Sequence, residues 1–128
     1  MNKLEKRMVE LLQEMKEKYH VTGVKAEFEA EGTRMEEAMR LKDVISRARL
    51  GLNIKIGGCE AIKDLFDSCA LGVERVIGPM VETPYALTKF LSACRLAFGN
   101  VQEESVERKP STVVSMIRSR LIPSIPRK

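Results

Sequence analysis

An unbroken alternation of apolar and charged residues from Val24 to Glu31 is the clearest pattern in the chain. Its apolar side carries Val24, Ala26, Phe28 and Ala30, and its charged side carries Lys25, Glu27, Glu29 and Glu31. A period of two residues is typical of a β-strand with one buried face. Gly32 interrupts the alternation, and the next four residues, 33–36, have the Thr-x-x-Glu spacing of a helix capping box. This stretch therefore predicts a strand that turns at a glycine into a helix.

Strand-like and helix-like periods alternate through the first 98 residues. An amphipathic helix is predicted over residues 2–19, and further helices over 34–49, 59–70 and 84–98. Strands are predicted over 24–31, 52–56 and 73–78, each after a glycine expected to end the preceding helix: Gly23, Gly51 and Gly72. Three such βα units favour a parallel sheet with right-handed crossovers. The fold class predicted is α/β, a partial TIM-type (β/α) barrel of about three parallel units after an N-terminal helix, with a doubly wound sheet as the alternative.

Beyond residue 98 the pattern changes. Residues 106–128 hold six basic residues and one acidic residue, whereas residues 1–105 hold sixteen basic and seventeen acidic residues. The net charge of +4 therefore comes from the C-terminal segment, in which Pro123 and Pro126 also interrupt regular structure. We predict a partial barrel over residues 1–98 and an atypical basic, proline-containing tail over residues 99–128. The tail lacks interleaved aromatic residues, so a nucleic-acid partner is not favoured.

Composition narrows the class of protein. The 128 residues are 44% hydrophobic and 31% charged, which suits one globular domain and not a disordered chain. No apolar run is long enough to span a bilayer, and the charged N-terminus lacks the apolar centre of a signal peptide. Three cysteines without close pairing argue against a disulfide framework. A cytoplasmic protein without a membrane partner is the resulting expectation.

Candidate chemistry follows from where the loops after the three strands should lie. In a parallel βα sheet, ligands bind at the carboxyl ends of the strands. The residues predicted at that edge are the acidic cluster Glu27, Glu29 and Glu31, with Lys55, Gly57, Gly58 and Glu82 as substrate-binding candidates. Carboxylates beside a cation would suit Mg²⁺ or Mn²⁺ together with an anionic substrate. Alternatively, these charges neutralise one another inside a barrel or face water from an open sheet.

Two features at this edge carry weaker signals. Gly57 and Gly58 precede a predicted helix, so their backbone N–H groups would be able to meet a phosphate or a carboxylate. They lack the full dinucleotide-binding and Walker patterns, and glycines at this point also serve simply as a tight turn. Cys59 would stand at the start of that helix, but no histidine lies nearby in sequence to activate it. In the same helix, Phe66 and Cys69 are expected to face the core.

Three segments resemble the N-terminal part of the HpcH/HpaI aldolase/citrate lyase family, and look closest to its CitE-like branch. They are residues 24–34, VKAEFEAEGTR, residues 55–61, KIGGCEA, and residues 78–86, GPMVETPYA. The resemblance implies a TIM-type barrel that forms or cleaves carbon–carbon bonds in 2-oxo acids or acyl thioesters, with Mg²⁺ or Mn²⁺ stabilising an enolate. It covers roughly residues 4–98. Lys55 stands where many members have an arginine that binds the substrate carboxylate, and it lacks the bidentate fork of arginine.

The resemblance also implies that this chain lacks the metal ligands and the histidine base found in members of the family. The family's metal-binding Glu and Asp lie on later strands, so no metal ligand transfers to a residue here. Gly32 and Thr33 occupy the stretch where one branch has a histidine base. A full barrel needs about 250 residues, so we expect a fragment or truncated lyase that is inactive alone. Its unpaired sheet edge would favour a homo-oligomer. The alternative expectation is a non-catalytic anion-binding or interaction module with a basic tail.

Overall fold

The computed structural model describes residues 1–99 and the backbone of three short strands between residues 108 and 118. The helices are α1 (Lys3–Tyr19), α2 (Met35–Arg47), α3 (Ile62–Leu71) and α4 (Pro84–Phe98). The strands are β1 (Gly23–Glu27), β2 (Gly51–Lys55), β3 (Arg75–Gly78), β4 (Arg108–Lys109), β5 (Thr112–Val113) and β6 (Ser115–Arg118). Among these helices, none has both the length and the apolarity that crossing a bilayer requires.

The main sheet has the strand order β1-β2-β3-β6. Its first three strands are parallel, with Ala26 opposite Ile54 and Ile54 opposite Val76. Each of these strands leads into a helix, so the predicted α/β class and the three parallel βα units are confirmed. The structure thus has a partial βα fold.

The fourth strand, β6, runs antiparallel to β3, with Ile117 opposite Val76. A continuing (β/α) barrel would add a parallel strand at this edge of β3. Strands β4 and β5 form a separate antiparallel pair. The basic side chains of the predicted tail lie outside the described residues, and the division of the chain at residue 98 stays a prediction.

The core lies on one face of the parallel strands. Leu52, Ile54 and Val76 point to this face and are fully buried. The Phe90 ring of α4 fills the space over Gly78, where an added Cβ would lie 2.8 Å from the ring. The opposite face carries polar side chains, because strand residues alternate between the two faces. Its polar members are Lys25, Glu27, Asn53, Lys55 and Arg75, and the buried Ile77 lies beside Lys55 on the same face.

Local hydrogen bonds explain where most of the helices begin and end. The Asn2 side chain caps α1 by accepting from the Glu5 N–H at 2.8 Å, and Thr83 caps α4 by accepting from the Ala86 N–H at 3.1 Å. At α2 the capping box is one residue later than predicted, because Glu37 accepts from the Arg34 N–H at 2.9 Å. Gly72 ends α3 in the left-handed region with φ of 65°, as its position predicted.

Several predicted boundaries are wrong. The first strand ends at Glu27 rather than Glu31, because β2 stops at Lys55 and supplies no further backbone partners after its bond to Phe28. His20 and Arg49, not Gly23 and Gly51, adopt left-handed conformations after α1 and α2. These errors move residues between strand and loop without changing the topology.

The third helix begins at Ile62 rather than Cys59, and its rotation differs from the prediction. Leu65 is fully buried, but Phe66 is 49% exposed and Cys69 is exposed. The fully buried polar residue Ser68 takes the inward position between Leu65 and Leu71. The inward stripe therefore follows residues 65, 68 and 71, which is an i, i+3, i+6 spacing on one helical face.

Helix α1 is the least embedded helix of the described chain. None of its residues is buried, and Leu4, Leu11 and Met15 are all exposed on it. Val9 and Leu12 are half-buried against the core. Polar contacts add to this packing: Arg40 donates to Glu5 at 2.6 Å, and Lys16 donates to the Arg49 carbonyl at 2.9 Å.

Candidate functional site

Three charged residues meet on the polar face of the sheet, at the carboxyl ends of β1 and β2. The strand register places Glu27 directly opposite Lys55. Lys55 Nζ lies 3.3 Å from Glu27 Oε2, and Lys25 Nζ donates to Glu27 Oε1. The Glu27 side chain is 12% exposed, whereas those of Lys55 and Lys25 are 33% and 50% exposed. A nearly buried carboxylate is thus held between two partly exposed ammonium groups.

The two lysines control the ionisation of this carboxylate. The hydrogen bond from Lys25, with a second from Lys55, holds the pKa of the Glu27 carboxyl below its ordinary value, although desolvation opposes the shift. Glu27 is therefore anionic at neutral pH. Because one anion faces two cations, this group of three side chains carries a net positive charge.

Glu29 and Glu31 lie in the loop after β1, because the strand ends at Glu27. The Glu31 carboxylate turns back and accepts from the Glu27 backbone N–H at 3.2 Å. The Glu29 side chain lies against Gly57, where an added Cβ would come within 3.4 Å of Glu29 Oε2. Both residues are exposed. The predicted acidic cluster is therefore split between the strand, its own loop and the neighbouring loop.

The glycine pair after β2 is tied to its own helix. The Gly57 N–H donates to Asp64 Oδ2 at 2.8 Å, across seven residues. The Asp64 carboxylate thus binds the Gly57 N–H, which the sequence analysis proposed as a donor to a phosphate or carboxylate ligand. An added Cβ at Gly57 would lie 3.3 Å from Asp64 Oδ2, whereas one at Gly58 would meet nothing within 4 Å. Close approach of side chains thus favours glycine at Gly57 but not at Gly58.

Glu82 lies in the loop between β3 and α4 and is exposed. Among the described residues, its carboxylate has no hydrogen bond or ion pair. The structure thus brings Glu27 and Lys55 into contact, adds Lys25 to them, and leaves Glu82 as an exposed side chain of a separate loop. Lys25, Glu27 and Lys55 are paired on the sheet face, whereas Glu29, which the neutralisation alternative also included, lies in the loop after β1.

Asp64 and Asn53 are the site residues that the sequence analysis missed. Asp64 lies in the first turn of α3, where its carboxylate meets the Gly57 N–H. An acidic residue in the first turn of a helix that follows two glycines is the sequence feature that indicates such a bond. Asn53 lies on the polar face, and its Oδ1 is buried without a hydrogen-bond partner among the described residues. No periodicity distinguishes that atom from an exposed polar one.

The residues of the polar face do not fit the divalent metal that the family resemblance implies. Within residues 1–99, no group of three or more His, Cys, Asp or Glu side chains is arranged to hold a metal ion. The carboxylate of Glu27, on the polar face of the sheet, is already hydrogen-bonded to two lysines. We therefore derive no step that passes through a metal on these residues.

The cysteines lie apart from this group of charges. Cys59 lies three residues before Ile62, the first residue of α3, so it does not stand at the helix N-terminus as expected; its side chain is half-buried. Cys94 is fully buried in α4, and burial raises the pKa of its thiol to about 12. A thiol that stays protonated and enclosed is a core residue rather than a nucleophile.

In comparisons with protein-family models, curated proteins and solved structures, nothing was found that matches this chain. The resemblance to the lyase family therefore remains an expectation that rests on the three sequence segments.

Proposed function

We propose that the chain forms the first βα units of a carbon–carbon lyase or aldolase of the HpcH/HpaI type, and that it binds the carboxylate of a 2-oxo acid or acyl thioester. The observation that carries the proposal is Lys55, at the carboxyl end of β2 on the polar face of the sheet, where its side chain is 33% exposed. It is also the residue to which the resemblance assigns a substrate carboxylate. In this proposal the chain alone does not turn over its substrate.

The charge balance of the sheet face supports an anionic ligand. Lys25 and Lys55 share the single carboxylate of Glu27, so a second carboxylate would find an ammonium group that is only half neutralised. Glu27 would then orient the Lys55 ammonium rather than touch the substrate.

Binding is the first test. Isothermal titration of the full chain with pyruvate, oxaloacetate and malonyl-CoA, each of which has a free carboxylate, should detect binding, and Lys55→Ala should weaken the affinity about tenfold or more. Lys63→Ala is the matched control, because Lys63 pairs with Asp67 on the exposed surface of α3 and leaves the sheet unchanged. Equal affinities of the two variants, or no binding by a folded wild-type chain, would contradict the proposed role of Lys55.

Turnover is the second test. We expect no metal-dependent cleavage of 2-oxo acids or acyl thioesters by this chain alone when Mg²⁺ or Mn²⁺ is added. Cleavage that the chain catalyses by itself would rule out the inactive form and would require ligands that the described residues do not assemble. A mass-spectrometric assay of substrate and product measures this directly.

A second candidate is a non-catalytic anion-binding or interaction module. The antiparallel β6 favours it, because this strand lies where a continuing barrel would place its next parallel strand. Such a module would use the basic segment for acidic partners. Binding of a polyanion that falls steeply with salt and is lost on deletion of residues 106–128 would support it. Polyanion binding that survives the deletion would count against it.

A further inference from the structure

Strand β1 is the terminal strand of the main sheet, and its backbone directions follow from its bonds to β2. The Phe28 N–H donates to the Lys55 carbonyl, and the Gly51 N–H donates to the Thr22 carbonyl. Even-numbered residues of β1 thus direct their backbone groups towards β2. Because neighbouring residues in a strand alternate, Lys25 and Glu27 direct their N–H and C=O groups away from the sheet. Among the described residues, no strand pairs with this outer edge.

The side chain of Glu31 covers one of these outward groups. Its Oε2 accepts from the Glu27 N–H at 3.2 Å, which is the direction that an added strand would take. Charged groups that cover an edge strand are a known means of limiting edge-to-edge pairing. The backbone N–H and C=O of Lys25 have no such cover among the described residues.

The charges along β1 are complementary to those of a second copy of β1 that runs antiparallel to it. If two copies align antiparallel with Ala26 opposite Ala26, Lys25 lies opposite Glu27 of the second copy, and Val24 lies opposite Phe28 of the second copy. The opposed lysine and glutamate are the residues whose backbone groups point outward, so side-chain charge and backbone bonding agree in one register. Shifting that register to put Lys25 opposite Lys25 would oppose like charges.

We propose that the outer edge of β1 is a self-association surface, through which two copies of this chain pair antiparallel about an axis beside Ala26. The Lys25 and Glu27 backbones then exchange N–H···O=C bonds with the second copy, and the two sheets become continuous. Glu31 competes with this pairing, because the Glu27 N–H must leave its carboxylate before it donates to the second copy. This inference does not depend on the proposed lyase function, since it involves no ligand.

The first test removes the competitor. Sedimentation equilibrium of the full chain over a range of concentrations should show a reversible monomer–dimer equilibrium. Glu31→Ala should lower the dimer dissociation constant about tenfold, because two competing hydrogen bonds are lost per dimer. Glu31→Gln keeps an acceptor oxygen and should resemble the wild type, and Glu60→Ala, an exposed carboxylate in another loop, should change nothing. A Glu31→Ala chain that is folded by circular dichroism and stays monomeric at all concentrations would overturn the proposal.

The second test uses the charges. Lys25→Glu and Glu27→Lys should each be monomeric alone, since each opposes like charges in this register. An equimolar mixture of the two, with one variant labelled with ¹⁵N, should form a heterodimer in native mass spectrometry, because every opposed pair is then of opposite charge. Dimers of either single variant that are as stable as those of the wild type would overturn the register. A wild-type dimer combined with failure to pair in a mixture of two variants that circular dichroism shows to be folded would also overturn it.

Discussion

At the scale of single residues, Glu27 is the best-defined feature of the molecule. Its carboxylate is nearly buried and accepts hydrogen bonds from two lysines, while its backbone N–H is bonded by Glu31. One residue thus connects strand β1 to β2 through its side chain and to the following loop through its backbone. A charged group with this many partners should affect stability in a manner that depends on pH.

Glu27→Gln tests that dependence. Because the pKa of the folded carboxyl lies below its ordinary value of 4.5, its ionisation stabilises the fold above that value, and the stabilisation is lost as pH falls through the folded pKa. The variant should melt at a lower temperature than the wild type at pH 7, and the difference should shrink between pH 5 and about pH 3. Melting curves across this range measure it, with Glu60→Gln as the exposed control. A difference that is constant with pH would show that the carboxylate charge is not responsible.

At the scale of the elements, α3 is fixed at both ends by local chemistry. Asp64 in its first turn bonds the Gly57 N–H, and Gly72 ends it with a left-handed backbone. The Val73 N–H then donates to the Ser68 carbonyl at 3.2 Å, which completes the turn into β3. The helix is thereby positioned against the loop after β2 on one side and against β3 on the other.

Gly72→Ala should destabilise the fold by about 1 kcal/mol, because a side chain at φ of 65° is strained. Gly58→Ala is the matched control, since that backbone has no positive φ and an added Cβ meets nothing within 4 Å. It should change the free energy of unfolding by no more than about 0.5 kcal/mol. Urea denaturation of both variants measures the comparison. Equal effects at the two glycines would contradict a conformational role for Gly72.

At the scale of the whole molecule, a single apolar layer lies between the sheet and its helices. The Phe90 ring is fully buried in this layer and contacts the backbone at Gly78 closely. The opposite sheet face contributes mostly charged and amide side chains, with Ile77 as a buried apolar residue beside Lys55. Because most of the large buried side chains lie in the one apolar layer, the stability of the domain should be sensitive to each of them.

Phe90→Ala should therefore lower the free energy of unfolding by about 3–5 kcal/mol, a large share of the roughly 5–15 kcal/mol available to a domain. Leu96→Ala lies on the same helix but at a side chain that is 64% exposed, so its effect should stay within about 0.5 kcal/mol. Guanidinium titrations followed by circular dichroism compare them. Similar midpoints for the two variants would contradict the assignment of Phe90 to the core.

The three parallel βα units were predictable from sequence, because alternating strand and helix periods with short connections favour them; the antiparallel β6 was not predicted. The alternation in β1 and β2 sets which residues share a face, but the contact of Glu27 with Lys55 also needs the register, which the sequence pattern does not fix. The extension of the first strand to Glu31 was wrong, because the length of a strand depends on its neighbour and not on its own pattern. The rotation of α3 was wrong for a related reason. Phe66 is apolar, yet Ser68 has the inward position, so tertiary packing overrides hydropathy there.

The candidate site was predictable only in part. The hydrogen bond from the Gly57 N–H to Asp64 depends on the position of α3 relative to the loop after β2. The spacing of residues in the sequence does not predict that position. The hydrogen bond from the Glu27 N–H to the Glu31 carboxylate depends on a loop where the alternation predicts strand. Side chains that reach back across a turn are set by loop geometry, and periodicity carries no information about it.

Helix α1 packs only weakly against the rest of the chain, and this affects how the protein unfolds locally. Helix α1 has no buried residue of its own, and two of its contacts with the rest of the chain are exposed polar ones, so its detachment should cost less free energy than that of α3 or α4. Its amides should exchange with deuterium through a low-energy local opening that leaves the remaining amides protected. Higher salt should hasten that exchange, because it screens the bond from Arg40 to Glu5 of α1 and the bond from Lys16 of α1 to the Arg49 carbonyl. Helix α1 would then detach while the three parallel strands stay folded.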